Sequence, residues 1–340
     1  MDRRAAGLVP KQLQIELKRL RLGNSKRYMV SMTEGYRALR ETAAWFDIST
    51  RGRIHATGED RKRLLHAMTT NHVQGLEPGQ GLYAFFLNAQ GRVLADAIIV
   101  CAEDHLLIST EPETRQSVFE HIDRFIIADD VTLKDVTEIS CEFALEGPAS
   151  AERLASLGCS IPDPAYGSVA WNNVTVIRAS STGEPGFRLI ALSEEKAALQ
   201  SLLASISIEA TPEDVLSVRL EHGIPRYGDD ITERYIAHET GQMQALHFQK
   251  GCYLGQEIVE RVRSRGLVNR QLTAFSIAGQ AIPARGEKIL NGEKEVGELT
   301  SAAWSPAADA FRALGYLRLD ARQSSGLRTA GGDAVQVVPN

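Results

Sequence analysis

Long apolar runs, paired cysteines and an excess of positive charge are all missing from this 340-residue chain. No apolar segment approaches the roughly 20 residues needed to span a bilayer, and residues 1–30 lack the apolar stretch of a secretory signal. A cytoplasmic protein with no membrane partner is expected. The formal net charge of -5 supplies no broad basic field, so direct binding of nucleic acid is not expected either. The four cysteines, Cys101, Cys141, Cys159 and Cys252, form no CxxC pair and no zinc-ribbon spacing. Free thiols in a reducing compartment and no metal site follow. Two motif-like stretches also fall short. "HETGQ" (238–242) lacks the second histidine of a zinc protease helix, and "PGQG" (78–81) lacks a phosphate loop's lysine and runs into a strand.

What is present is an ordinary globular composition, 43% apolar and 24% charged, in a chain long enough for two or three packed units. Residues 1–30 carry a basic excess and read as an extension. From Met32 strands and helices alternate. "RIHATGED" reads as a strand, "EDRKRLLHAMTT" as a helix, and "GLYAFFLNAQGRVLADAIIV" as two strands joined by a turn at Asn88–Gly91. Strand pairs punctuated by single helices imply an α+β fold with helices on antiparallel sheets. Beyond about Asn269 only short strands and turns remain, including the hairpin signal Asn291-Gly292, which implies a small β-barrel or sandwich. The expected organisation is a basic extension (1–30), an α+β region of two interwoven units (31–268) and a terminal barrel (269–340).

Three places carry candidate functional residues. In "KGCYLGQE" (250–257), Cys252 lies between glycines beside Lys250, whose charge would favour the thiolate. Cys252 is a reagent, a ligand or a small core residue on this pattern. Asp96 interrupts the apolar strand "VLADAIIVC", and a buried carboxylate is costly unless paired or used. Glu221 ends the helix "PEDVLSVRLE", where the helix dipole disfavours an acid. An ion pair to Arg219 or Arg226, or a ligand with paired N–H donors, would account for it.

The stretch "FQKGCYLGQEIVERVRSRG" (248–266) resembles the signature of YgfZ-type folate-binding proteins, whose eukaryotic relatives act in mitochondrial iron–sulfur cluster assembly. "WFDIST", "FFLNAQGRVLAD", "RLEHGIPRYGDDI" and "VGELTSAAWSP" are similar to successive blocks of the wider glycine-cleavage T-protein superfamily. That resemblance implies a ring of two α+β (ferredoxin-like) units with a C-terminal β-barrel around a tetrahydrofolate site. It implies Glu221 as acceptor for the pterin's donors, with Tyr83, Phe85 and Tyr227 as flat walls and Asp96 near the reactive nitrogens. It also implies that Cys252 faces the pocket or its mouth, with Lys250 favouring its thiolate. The function it implies is a folate-dependent accessory factor for iron–sulfur cluster assembly or repair. Its partners would be assembly factors or cluster enzymes such as those that modify tRNA. The alternative is a tetrahydrofolate-dependent aminomethyltransferase. Against that alternative, the T-protein's "GGxxDD" block is here "GRVLAD" (91–96), with one acid gone.

Overall fold

The computed structural model describes residues 32–266 and 268–338, so the basic extension of residues 1–30 lies outside it. The chain opens in helix α1 (Glu34–Glu41), where the Thr33 hydroxyl accepts from the Tyr36 amide at 3.0 Å as an N-cap. It enters β1 (Ala44–Asp47), then leaves for β2 (Gly52–Thr57), α2 (Arg61–Met68), β3 (Gly81–Leu87), β4 (Val93–Cys101), β5 (Leu106–Thr110), α3 (Arg115–Asp123) and β6 (Thr132–Asp135). Strands β2 to β6 make one antiparallel sheet of five, ordered β3-β4-β5-β2-β6.

The chain then returns beside β1. Strand β7 (Ser140–Glu146), helix α4 (Ser150–Ser156), β8 (Ser168–Trp171), β9 (Val174–Ile177), β10 (Gly186–Leu192), helix α5 (Lys196–Ile206) and β11 (Ile208–Glu209) complete a six-stranded sheet ordered β11-β1-β7-β10-β9-β8. The two sheets are therefore interleaved in sequence: β1 belongs to the second although it precedes the first. Helix α6 (Pro212–Glu221) starts with a capping box at Thr211 and Asp214, and α7 (Gln256–Arg265) follows a long irregular segment. Strands β12 (Arg270–Ala278), β13 (Lys288–Asn291), β14 (Lys294–Ser305), β15 (Ala310–Arg318), β16 (Leu327–Thr329) and β17 (Ala334–Val338) close into the six-stranded barrel expected from the turn chemistry. The fold is α+β with a C-terminal barrel. No helix among the described residues is long and apolar enough to cross a membrane.

Period-two alternation in β4 sets up the site. Ala95, Ala97, Ile99 and Cys101 join the core under α2 and α3, whereas Ile98 and Val100 turn the other way and pack with Ile177 of the second sheet and Ala179 just past β9. Asp96 shares the face of Ile98, so its carboxylate is driven between the sheets.

Candidate functional site

A cavity of about 990 Å³ lies where the two sheets and α6 meet. Its floor carries Arg51, Asp96, Glu111 and Arg188, and Tyr83 and Tyr166 form a flat wall with ring centroids 6.3 Å apart and planes within 20°. Val215, Leu216 and Arg219 of α6 close another side, and Glu184 stands on the loop entering β10. The lining comes from both sheets and α6.

Asp96 is 7% exposed, and the Tyr83 hydroxyl donates to its Oδ2 at 2.8 Å. Its Oδ1 has no partner among the described residues, so half of a buried carboxylate is left to be met by something else. Burial, then the nearby Glu111 charge, push the Asp96 carboxyl up to about 6, while Arg51, the Tyr83 bond and Arg188 pull the other way. For Glu111, burial likewise opposes ionisation, but the Arg51 and Arg226 charges outweigh it and hold that carboxyl below its ordinary value. Two neighbouring acids are thus driven apart, one poised to titrate and one fixed as an anion.

Glu221 is not among the cavity-lining residues. Its Oε1 accepts from the Tyr36 hydroxyl at 2.7 Å and the Ser305 hydroxyl at 2.5 Å, and Arg40 Nε stands 3.5 Å from Oε2. These contacts tie α6 to α1 and the barrel through Oε1, whereas Oε2 has no hydrogen-bond partner among the described residues. The expected local partners are engaged elsewhere: Arg219 with Asp230 at 2.5 Å, Arg226 with Glu111 and Glu113. One lining acid on that side is Glu184, bonded to Arg40 and 3.0 Å from His222 Nε2. Nothing in "STGEPGF" singled it out in sequence except a carboxylate in a turn beside a strand.

Of the three expected aromatic walls, only Tyr83 faces the cavity. Phe85 is fully buried and Tyr227 is 8% exposed; both pack with Leu87, Val93 and Ile231 behind the wall. Tyr166 completes the wall instead. Its backbone sits at φ 62°, a strained left-handed conformation that no sequence pattern announces.

The KGCYLGQE segment docks on the β3–β4 turn. Gly255 has φ 83°, and a Cβ there would lie 2.7 Å from Asn88 O, while a Cβ at Gly91 would strike Ile258 of α7 at 2.8 Å. Both glycines are needed for this close approach. Lys250 is buried, and its ammonium donates to the carbonyls of His66 and Thr69, the latter at 2.5 Å. It caps the C-terminus of α2 and lies 4.5 Å from the Tyr253 ring centroid. Burial pushes it down to about 8, with the Cys252 charge opposing. Lys250→Met should therefore cost about 1–3 kcal/mol by orphaning two carbonyls, measured by urea unfolding.

Cys252 itself is exposed, whereas Cys101, Cys141 and Cys159 are buried. It does not line the cavity. At the adjacent Gly251 a Cβ would lie 3.7 Å from His66 Nε2, and the rings of His66, His72 and His247 form a row with centroids 4.9 and 5.2 Å apart. Among the described residues no group of three His, Cys, Asp or Glu side chains is arranged to hold a metal. A thiol-labelling experiment should find one fast-reacting cysteine per native chain and none in Cys252→Ser.

The GCVT N-terminal domain matches residues 15–250, and the glycine cleavage T-protein C-terminal barrel domain matches residues 270–337. The chain belongs to the glycine cleavage T-protein family. It is 29% identical over 301 residues to a chloroplastic Arabidopsis thaliana protein named as a transferase, covering 86% of this chain and 69% of that one. It is 29% identical over 293 residues to the aminomethyltransferase of Rubrobacter xylanophilus, covering 83% and 78%. The crystal structure of the glycine cleavage system aminomethyltransferase T from Bartonella henselae superposes with a TM-score of 0.82 at 21% identity, covering 92% of this T-protein family chain and 90% of that one; the likeness establishes the shared fold. At family level the named relatives support aminomethyl transfer better than iron–sulfur cluster maintenance. That reverses the order expected from the KGCYLGQE motif.

Proposed function

We propose that this T-protein family member binds tetrahydrofolate in the cavity between its sheets and handles a one-carbon unit beside Asp96. The observation that carries the reading is the buried Asp96 carboxylate, with one oxygen held by Tyr83 and the other unpartnered in a cavity of about 990 Å³. A ligand with N–H donors supplies the missing partner, and the Tyr83–Tyr166 wall suits a flat ring. When bound, tetrahydrofolate would supply the nitrogen that accepts or carries the one-carbon unit. Glu184, which lines the cavity where Glu221 does not, is a second acceptor in reach of a ligand there. Aminomethyl transfer, with Asp96 as the acid–base or electrostatic group, is the reading that the family relatives favour.

Equilibrium titration with tetrahydrofolate tests this. Glu184→Gln should weaken binding about tenfold or more, the loss of one charge-assisted hydrogen bond. Glu221→Gln should leave affinity nearly unchanged and lower stability instead. Because the ionised Asp96 is the better acceptor, affinity should rise with pH through about 6 and level off above it. Absence of tetrahydrofolate binding by the native protein would end the reading.

One observation favours a second, finer reading, a YgfZ-type accessory role toward iron–sulfur enzymes: the exposed thiol of Cys252 on a glycine-bounded loop anchored by Lys250. In that reading Cys252 contacts a cluster, a sulfur species or a partner at the surface, away from the folate. The two readings separate in cells lacking the native gene. If Cys252→Ser restores cluster-enzyme activity as well as the native sequence does, the accessory role of the thiol is refuted. Formation of methylenetetrahydrofolate from an aminomethyl donor supports the transferase.

A further inference from the structure

Arg188 projects from β10 onto the cavity floor and is only 4% exposed. A guanidinium buried to that degree needs its donors met. They are poorly met among the described residues. Nη1 reaches Ser109 Oγ at a stretched 3.5 Å, and Nε has no acceptor. The facing carboxylate oxygen, Glu142 Oε1, stands 3.8 Å from Nη1 and has no hydrogen bond, while Oε2 is bonded to Arg53.

A second guanidinium crowds the same place. Arg51 Nε points at the same Ser109 Oγ, also at 3.5 Å, so two cations share one hydroxyl. Arg51 is answered by Glu111, which is also engaged by Arg226. Among the described residues no carboxylate lies within hydrogen-bond distance of Arg188. Burial and the Arg51 charge together hold it below the ordinary guanidinium value.

An under-paired guanidinium beside another, on the floor of a cavity, is an anion site, and its planar fork matches a carboxylate. The anionic Glu111 nearby disfavours a doubly charged group such as phosphate. The unpartnered Asp96 Oδ1 on the same floor calls for an N–H donor. We infer that Arg188, backed by Arg51, forms a carboxylate subsite at the floor of the cavity, for a ligand that also offers an N–H group to Asp96. Two sources fit this chemistry. One is the glutamyl part of tetrahydrofolate, which rests on the folate reading; the other is a separate small amino acid held next to it.

Titrations of the native protein, Arg188→Met and Arg188→Lys test this, using glycine, acetate, tetrahydrofolate and tetrahydropteroate, which lacks the glutamyl group. Arg188→Met should melt no lower than the native protein, since it removes a poorly paired buried charge. If the glutamyl group is the source, Arg188→Met binds tetrahydrofolate about tenfold or more weakly, no better than tetrahydropteroate. If a separate amino acid is the source, Arg188→Met loses glycine and acetate binding and keeps tetrahydrofolate. Unchanged binding of every carboxylate by Arg188→Met overturns the subsite. Should that variant not fold, Arg188→Lys decides, because it keeps the charge and loses the fork: weaker carboxylate binding at a native melting temperature supports the subsite, and unchanged binding overturns it. Native protein that binds glycine without tetrahydrofolate would remove the folate reading and leave the subsite. Native protein that binds tetrahydrofolate and tetrahydropteroate equally, and no small carboxylate, would do the reverse.

Discussion

Replacing Arg53 by methionine should destabilise the protein by about 4 kcal/mol or more, the largest loss expected from any single substitution considered for this chain. Arg53 lies on β2 and is fully buried. Its Nε donates to Ser140 Oγ at 2.7 Å, Nη1 to Arg51 O at 2.9 Å and Glu142 Oε2 at 3.2 Å, and Nη2 to Ser49 O at 3.0 Å, Thr137 O at 2.9 Å and Ser140 O at 3.2 Å. Ser140 and Glu142 belong to β7 in the other sheet, so this one side chain fastens the two sheets together. Methionine fills most of the volume and satisfies none of these groups. It leaves a buried carboxylate whose remaining cation is Arg188 at 3.8 Å and takes one donor from each of four carbonyls, of which Thr137 O keeps the Ser140 amide.

Breaking a buried pair costs about 3–5 kcal/mol, against a total stability of about 5–15 kcal/mol. Denaturant unfolding should show a midpoint shift with a nearly unchanged slope. The double variant Arg53→Met/Glu142→Leu should recover part of the loss, because the stranded charge is then gone. A loss under about 1 kcal/mol, the size of an ordinary surface ion pair, would show that the sheets do not depend on this arginine.

Arg53 also shows where sequence reading reaches its limit. In "RIHATGED" it looks like the polar member of a half-exposed strand, and its burial is decided by β7, almost ninety residues later. Features written in local chemistry were legible: the β3–β4 hairpin around Asn88–Gly91, the helix PEDVLSVRLE that becomes α6, and the Asn291-Gly292 turn between β13 and β14 of the barrel. Asp96 was legible too, because a carboxylate in an apolar strand is locally inconsistent. Glu221 was noticed for the same reason, but its partners Tyr36 and Ser305 are 185 and 84 residues distant, and no spacing rule names them. Tyr166, Glu184 and Arg188 were not legible. Each lies in an unremarkable loop or strand and acquires meaning only when β9 and β10 are laid against the first sheet.

Asp96→Asn should move stability and function in opposite directions. The sign follows from the direction of the shift. A carboxyl raised from about 3.9 in the unfolded chain to about 6 in the folded one is a burden on the fold once ionised. The burden is absent below the unfolded value, grows as pH rises between the two values, and is constant above the folded one. At about pH 7 removing the charge should therefore stabilise the protein by an amount on the order of 2–3 kcal/mol. Near about pH 4 the gain should vanish. Thermal melts across that range measure it directly. The same substitution should cut one-carbon transfer about a hundredfold or more if Asp96 acts in acid–base catalysis, and should flatten the rise of tetrahydrofolate affinity through about pH 6. A residue kept at the expense of stability is one that the fold does not need for itself. Were Asp96→Asn instead destabilising at neutral pH, the carboxylate would be the counter-ion that Arg51 and Arg188 require, and its free oxygen would carry no ligand.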